Sequence, residues 1–92
     1  MNKNRILLFL RENKTELKKR FNITRIGLFG SYAKGFEEEI SDIDIIVDGR
    51  NIKDTELKDF LEDKFHKKVD IVKESNLYYF MKYLINKEAI YV

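Results

Sequence analysis

Two aspartates interrupt an apolar segment, and they constrain the fold of this chain more than any other feature. In "SDIDIIVD", residues 41–48, Asp42 and Asp44 alternate with isoleucine. The alternation predicts a β-strand whose isoleucines face a core while both carboxylates point to the opposite face. An isolated ionised carboxylate is costly to place in an apolar setting, so a positive partner is expected beside the pair. A hard divalent cation with oxygen ligands would neutralise both carboxylates.

A third aspartate and a Gly-Ser turn extend this pattern. Asp70 in "KKVDIVK" stands between apolar residues in the same way, so a strand paired beside residues 42–48 would bring it to the same face. Upstream, Gly30 closes the predicted strand "ITRIGLF", and Ser31 is the predicted N-cap of a short helix that ends at Gly35. Taken singly, aspartates on one face of a strand are also typical of an exposed strand face, and a Gly-Ser turn is also typical of an ordinary strand-to-helix connection. Together they indicate a site for a metal-bound nucleoside triphosphate, because free backbone N–H groups and a hydroxyl bind phosphate readily.

Hydrophobic periodicity predicts the remaining elements. Apolar residues at helical spacing predict one amphipathic helix over residues 3–20 and another over about 54–66, and "KKVDIVK" is the third strand. The last helix opens at Ser75, and its buried stripe is expected to comprise Leu77, Phe80, Met81, Leu84 and Ile85. The predicted order is α-β-α-β-α-β-α, an α/β (α+β) fold with a small mixed β-sheet and helices packed on it. It forms a single domain over residues 1–92.

Composition excludes several classes of protein and site. The chain has no cysteine and a single histidine, His66, so a zinc site would lack its usual ligands, and His66 is expected to act as a cation at a helix C-terminus. The Walker-type P-loop and the dinucleotide-binding motif are both absent. No segment approaches the roughly 20 apolar residues of a membrane span, and no signal-peptide cleavage site follows the first apolar run. We therefore expect a cytoplasmic protein without a membrane partner.

Charge is distributed unevenly along the chain. Residues 1–20 carry seven basic and two acidic side chains, whereas residues 37–48 carry six acidic side chains and no basic one. A solvated helix face explains the basic excess more simply than nucleic-acid contact does. Nucleic acid is therefore not an expected partner.

The segments "GSYAKG", "SDIDIIV" and "VDIV" resemble the motifs of the DNA polymerase β-like nucleotidyltransferase superfamily. Within it, the chain is similar to the minimal nucleotidyltransferases that are encoded beside HEPN proteins and act as antitoxins, and its ending "INKEAIYV" is similar to that group as well. The resemblance implies transfer of a nucleoside monophosphate, AMP from ATP, to a tyrosine hydroxyl of a HEPN-type toxin. It also implies a homodimer or a hetero-oligomer with the toxin. Since 92 residues leave no second domain for the acceptor, we expect the acceptor to bring its own surface.

The resemblance also implies roles for individual residues. Gly30 and Ser31 would hold the β and γ phosphates, and Asp42 and Asp44 would bind two Mg²⁺ ions. Asp70 would complete the metal site and help to deprotonate the attacking hydroxyl. Two metals between carboxylates and phosphate oxygens stabilise both the attacking and the leaving oxygen, which agrees with these assignments.

Lys34 and Ser41 flank these motifs. Many family members have arginine at the position of Lys34; a lysine can contact a phosphate as a point charge but cannot form a bidentate fork. Lys34 is therefore a candidate nucleotide-binding residue whose role the sequence leaves open. Ser41 is expected to orient the loop or Asp42 through a hydrogen bond, which is a structural role.

Two other functions are compatible with the sequence. The chain could neutralise its partner by contact alone, through a helix flank that carries Tyr78, Tyr79 and Tyr83, although tyrosines on a helix flank are often only partly buried. It could also transfer a nucleotide to a small molecule or an RNA end, with the basic N-terminal helix contacting the RNA. Each alternative depends on a surface outside the aspartate and Gly-Ser motifs.

Overall fold

A four-stranded mixed sheet with helices on both faces forms the protein. The computed structural model describes residues 1–92. The helices are α1 (Lys3–Glu12), α2 (Lys14–Phe21), α3 (Gly30–Lys34), α4 (Asp54–Phe65) and α5 (Tyr79–Glu88), with a 3₁₀ turn at Glu74–Asn76. The strands are β1 (Ile23–Phe29), β2 (Ile43–Gly49), β3 (Val69–Lys73) and β4 (Ile90–Tyr91). Their order in the sheet is β3-β2-β1-β4; β2 runs parallel to β3, and β1 runs antiparallel to both β2 and β4. The predicted fold class is confirmed.

The predicted helix over residues 3–20 is wrong in one respect, because it is two helices. Asn13 ends α1, and its side-chain amide donates to the carbonyl of Phe9 at 2.9 Å. Asparagine competes in this way with the hydrogen bonds of a continuing helix. The apolar spacing on both sides of the break is nevertheless preserved, and Ile6, Leu10 and Leu17 are fully buried.

The main core lies between one face of the sheet and helices α1, α2 and α4. Ile43, Ile45 and Val47 of β2 face this core and are fully buried, as the alternation predicted. The opposite face of β2 carries Asp44 and the buried Ile46. The alternation along β2 thus gives one apolar face and an opposite face with a charged residue near the start of the strand.

The predicted last helix is wrong in its start and in most of its buried stripe, because α5 begins at Tyr79 rather than Ser75, and Leu77 lies before it. Ile85 is the single buried residue of α5, whereas Phe80, Met81 and Leu84 are 67%, 45% and 41% exposed. The reason lies in the sheet face that α5 adjoins: this second face alternates charged residues with the apolar ones, so it offers little apolar area for a helix to cover. None of the helices is long and apolar enough to cross a bilayer.

A fourth strand, absent from the predicted order, follows α5. Ile90 and Tyr91 pair with Leu28 and Gly27 of β1. A Cβ at Gly27 would lie 2.9 Å from both the Ile90 carbonyl oxygen and the Tyr91 ring, so glycine permits this close approach. A two-residue strand is too short to leave a periodic signal in the sequence. Its pairing holds the end of α5 beside the end of β1.

Candidate active site

The strand directions bring the predicted site residues to one end of the sheet. β2 and β3 run parallel and both start at this end, whereas the antiparallel β1 finishes there. Asp44 is paired in register with Asp70 on one side and with Phe29, the last residue of β1, on the other. Gly30 and Ser31 therefore follow β1 at the same end as the three aspartates.

Gly30 makes the closest backbone approach to the carboxylates. Its φ is +74°, and a Cβ built there would overlap the carboxylate of Asp44, whose Cγ would be 3.0 Å away. Only glycine tolerates both the positive φ and this contact. The sequence predicted a phosphate-binding role for Gly30, but it did not reveal that the same residue makes room for Asp44.

Ser31 is not the N-cap of α3, contrary to the prediction. The helix begins at Gly30, Phe29 occupies the cap position, and no side chain caps the helix. The Ser31 hydroxyl makes no hydrogen bond within the protein. The Ser31 backbone carbonyl accepts from the backbone N–H of Phe36 at 2.9 Å. The predicted end of the helix at Gly35 is confirmed, with φ +77°. Ser31 thus keeps its hydroxyl available for a ligand.

The ionised form of Asp44 is disfavoured by its surroundings. Burial, which is the largest cause, and the negative charges of Asp70, Asp42 and Glu88 together raise the pKa of Asp44 from 3.8 to about 6. A partly buried carboxylate with two further aspartates beside it is a suitable environment for a divalent cation. Asp42 itself precedes β2, one residue before the strand begins.

The donor set fits magnesium bound together with phosphate rather than a closed protein cage. No three acidic or histidine side chains converge on a single metal position in this conformation. Mg²⁺ is usually held by one or two carboxylates, with substrate phosphates and water completing the coordination. Asp42, Asp44 and Asp70 beside the open turn at Gly30 and Ser31 are compatible with that mode, so the residues present fit the ion.

Lys34 is paired with a residue that the sequence did not single out. Its ammonium lies 2.8 Å from the Glu88 carboxylate at the end of α5, and the two side chains are 47% and 29% exposed. Glu88 also contributes to the raised pKa of Asp44, which places its charge near the aspartates. No sequence signal identified Glu88, because its position depends on how α5 returns to α3.

Ser41 closes the loop before β2, as predicted. Its hydroxyl accepts from the backbone N–H of Glu38 at 2.8 Å, and its own N–H donates to the Glu38 carbonyl at 3.0 Å. The Lys67 ammonium donates to the carbonyl of Glu39 at 2.6 Å and ties the same loop to the residues before β3. These contacts fix the position of the loop that leads into Asp42.

An open cleft adjoins the aspartates at the β3 edge of the sheet. Its volume is about 640 Å³, and its polar lining comes from α4, from the turn after α4 and from the aspartates. His66 ends α4 with φ +54°, where its N–H donates to the Glu62 carbonyl at 2.8 Å, so its predicted place at a helix C-terminus is confirmed. The lining residues are Asp42, Lys58, Glu62, His66, Lys67, Lys68, Val69 and Asp70.

Comparisons with known proteins agree with this geometry. The nucleotidyltransferase domain family matches residues 10–92. The protein adenylyltransferase MntA of Thermococcus cleftensis is 39% identical over 87 residues, which cover 90% of this chain and 88% of that protein.

Solved structures match as well. A structure described as a minimal nucleotidyltransferase has a TM-score of 0.81 and 32% identity, covering 98% of this chain and 95% of its own. A toxin-antitoxin structure with AMP-PNP has a TM-score of 0.69 and 28% identity, covering 99% of this chain and 72% of its own. The resemblance seen in the sequence motifs is confirmed, and the chain belongs to the nucleotidyltransferase domain family, whose members are nucleotide-transferring enzymes.

Proposed function

We propose that this chain is a Mg²⁺-dependent protein adenylyltransferase that transfers AMP from ATP to a hydroxyl of a HEPN-type toxin and acts as its antitoxin. The observation that carries the proposal is the register of Asp44 with Asp70 beside the turn at Gly30 and Ser31. The relative named protein adenylyltransferase and the toxin-antitoxin neighbour with AMP-PNP support the choice of nucleotide and acceptor.

The carboxylates and the turn have separate tasks in the proposed reaction. Asp42 and Asp44 would hold two Mg²⁺ ions, with Asp70 completing the site. When bound, the metal would supply positive charge for the attacking and leaving oxygens. Gly30 and Ser31 would hold the β and γ phosphates through backbone N–H groups and the free hydroxyl.

The proposed reaction forms one bond to phosphorus, breaks another and moves one proton. The acceptor oxygen forms a bond to the α phosphorus, while the bond from that phosphorus to the bridging oxygen breaks and pyrophosphate leaves. Asp70 accepts the proton of the acceptor hydroxyl, because it lies beside Asp44 on the outermost strand at this end of the sheet. The remainder of the catalysis is positioning of the two substrates.

The direct test is the intact mass of the HEPN-type protein encoded beside this chain. The partner is incubated with the chain, Mg²⁺ and, separately, each of the four nucleoside triphosphates. We expect a mass increase in whole AMP units with ATP, and no increase with Asp42→Asn/Asp44→Asn. Glu12→Gln/Glu56→Gln, which removes two exposed carboxylates of α1 and α4 that line neither the site nor the cleft, is the matched control and should transfer normally. Wild-type protein that leaves the partner's mass unchanged would exclude the proposed transfer.

Neutralisation by contact alone is a second candidate, and the exposed apolar side chains of α5 favour it. Phe80, Met81 and Leu84 are all exposed on one helix, beside Tyr79 and Tyr83. Exposed apolar groups of this size are typical of interaction surfaces. If Asp42→Asn/Asp44→Asn still protected cells from the partner, while Phe80→Ser/Leu84→Ser did not, binding rather than transfer would be the function.

A further inference from the structure

The cleft at the β3 edge lies on the far side of the aspartates from the phosphate-binding turn. In the sheet order, β1 leads into Gly30 and Ser31, β2 carries Asp44, and β3 carries Asp70. The cleft comes next, between the start of β3 and the side of α4 that carries Lys58 and Glu62. Turn, carboxylates and cleft therefore follow one another across the sheet.

The order of turn, carboxylates and cleft across the sheet determines from which side an acceptor can enter. In phosphoryl and nucleotidyl transfer, the attacking and leaving oxygens lie roughly in line on opposite sides of the phosphorus. With the pyrophosphate portion held at Gly30 and Ser31, the attacking hydroxyl must arrive from the side of Asp70. The cleft beside Asp70 is the opening on that side.

Apart from the two aspartates, the Lys and Glu side chains of the cleft that have no partner within the protein are lysines. Glu62 accepts the backbone N–H of Val69 at 2.9 Å, and Lys67 donates to the Glu39 carbonyl. Lys58 and Lys68 are exposed and take part in none of the protein's four ion pairs. Two ammonium groups at the rim are therefore free to pair with an anionic ligand.

We propose that this acceptor cleft receives the segment of the partner protein that carries the modified hydroxyl, and that Lys58 and Lys68 pair with acidic side chains flanking it. The inference rests on the proposed function, since it names the chemistry of the acceptor for the same site. Exposed lysines at a rim contribute chiefly to association and to specificity between partners. They would select a partner whose acceptor hydroxyl lies among aspartates or glutamates.

The surroundings of the cleft favour a short acidic protein segment over RNA. Beyond the two lysines, α4 presents Asp59 and Asp63, and the loop held by Lys67 carries Glu38 and Glu39. A nucleic-acid backbone carries a charge on every nucleotide and needs a continuous basic surface. A peptide needs only the two lysines, because its charges can be confined to the residues beside the hydroxyl.

The decisive variant reverses both rim charges, Lys58→Glu/Lys68→Glu. Its matched control is Arg11→Glu/Lys19→Glu, which changes net charge equally at exposed basic residues of α1 and α2, neither of which lines the cleft. We expect the KM for the partner protein to rise about tenfold or more in the cleft variant, with kcat less affected. The control should match wild type, and Lys58→Arg/Lys68→Arg should retain the wild-type KM because arginine keeps the charge.

A binding measurement keeps this test separate from that of the proposed function. The dissociation constant of the complex between chain and partner is measured without nucleotide at two salt concentrations. We expect weaker and less salt-dependent binding in the cleft variant. Unchanged binding and unchanged KM would overturn the acceptor cleft while leaving the transferase intact; loss of transfer in wild-type protein would overturn the transferase, and the binding result would still judge the cleft.

Two probes address the chemistry of the acceptor. Tyrosine peptides flanked by glutamates should be adenylylated faster than peptides flanked by lysines, and the cleft variant should invert that preference. A short RNA with a free 3′ hydroxyl should remain unmodified. If the RNA were modified and its modification depended on Lys58 and Lys68, the cleft would be a nucleic-acid site and the proposal would be wrong.

Discussion

The charged end of the sheet and helix α5 differ in how firmly their neighbours determine them. At the sheet end, Asp44 is fixed by backbone pairing to Phe29 and Asp70, and Gly30 packs directly against its carboxylate. In α5, Ile85 alone is buried, and most of the other apolar side chains are exposed. The predicted site therefore lies where backbone pairing fixes the position of its residues, whereas α5 has apolar surface left for contact with a partner.

The largest effect is expected from a methyl group at the rigid end. Gly30→Ala should destabilise the protein by about 2–3 kcal/mol, because the added Cβ meets the Asp44 carboxylate at a backbone φ that alanine disfavours. Gly35→Ala is the matched control, since its φ is similar but no atom lies within 4 Å of the new Cβ, and it should cost about 1 kcal/mol. Chemical unfolding measures both. Equal losses would mean that the packing at Gly30 does not constrain the site.

A smaller effect is expected from the raised pKa of Asp44. The native carboxyl binds its proton more tightly than the unfolded one, from pKa 3.8 to about 6, so its stabilising contribution is present at low pH and is lost as pH rises through 6. Without Mg²⁺, Asp44→Asn should therefore raise the free energy of unfolding at pH 7.5 by about 1 kcal/mol after screening by solvent, and much less at pH 4.5.

Thermal unfolding at the two pH values measures this difference. Asp63→Asn, at an exposed position of α4, serves as the control and should show no such pH dependence. Adding Mg²⁺ with ATP should reverse the sign at pH 7.5, because wild-type protein gains a ligand that the variant binds less well. If Asp44→Asn were less stable than wild type at pH 7.5 without metal, the ionised Asp44 carboxylate would not destabilise the native state as its raised pKa indicates.

The ion pair between Lys34 and Glu88 joins the two regions and should contribute less still. Both side chains are partly exposed, so Lys34→Glu or Glu88→Lys should each cost about 1 kcal/mol or less. The exchanged pair, Lys34→Glu/Glu88→Lys, should recover stability but not affinity for a non-hydrolysable ATP analogue, because a carboxylate at position 34 repels phosphate. Recovery of both properties would make Lys34 a structural partner of Glu88 and nothing more.

The smallest effect is expected on the exposed side of α5. Phe80→Ser should change the free energy of unfolding by no more than about 0.5 kcal/mol, because the side chain has little packing to lose. Ile85→Ala, on the same helix but buried, should cost about 2 kcal/mol and shows that the assay detects α5. A large loss in Phe80→Ser would mean that α5 is packed more tightly than its exposure indicates.

The sequence was sufficient wherever a local pattern determines the outcome. Alternation in "SDIDIIVD" and "KKVDIVK" predicted that Asp44 and Asp70 lie on one strand face, since the period of two is intrinsic to a strand, whereas Asp42 precedes β2. It was insufficient where position depends on distant parts of the chain. The contact of Gly30 with Asp44 and the pairing of Lys34 with Glu88 are tertiary facts. The buried stripe of α5 failed for the same reason, because periodicity shows an apolar face but not what covers it.

The shortness of β4 also affects how the protein resists aggregation. β4 pairs with Gly27 and Leu28 alone, so the first part of β1 continues this edge, and there it carries the exposed charge of Arg25, which opposes strand addition. The other edge, β3, is preceded by the exposed Lys68 and carries the exposed Asp70, and such charges at an edge strand oppose the approach of a second copy. Both edges are therefore poor templates for strand addition, so a sheet with open edges can coexist with an exposed aromatic helix without forming intermolecular β-structure.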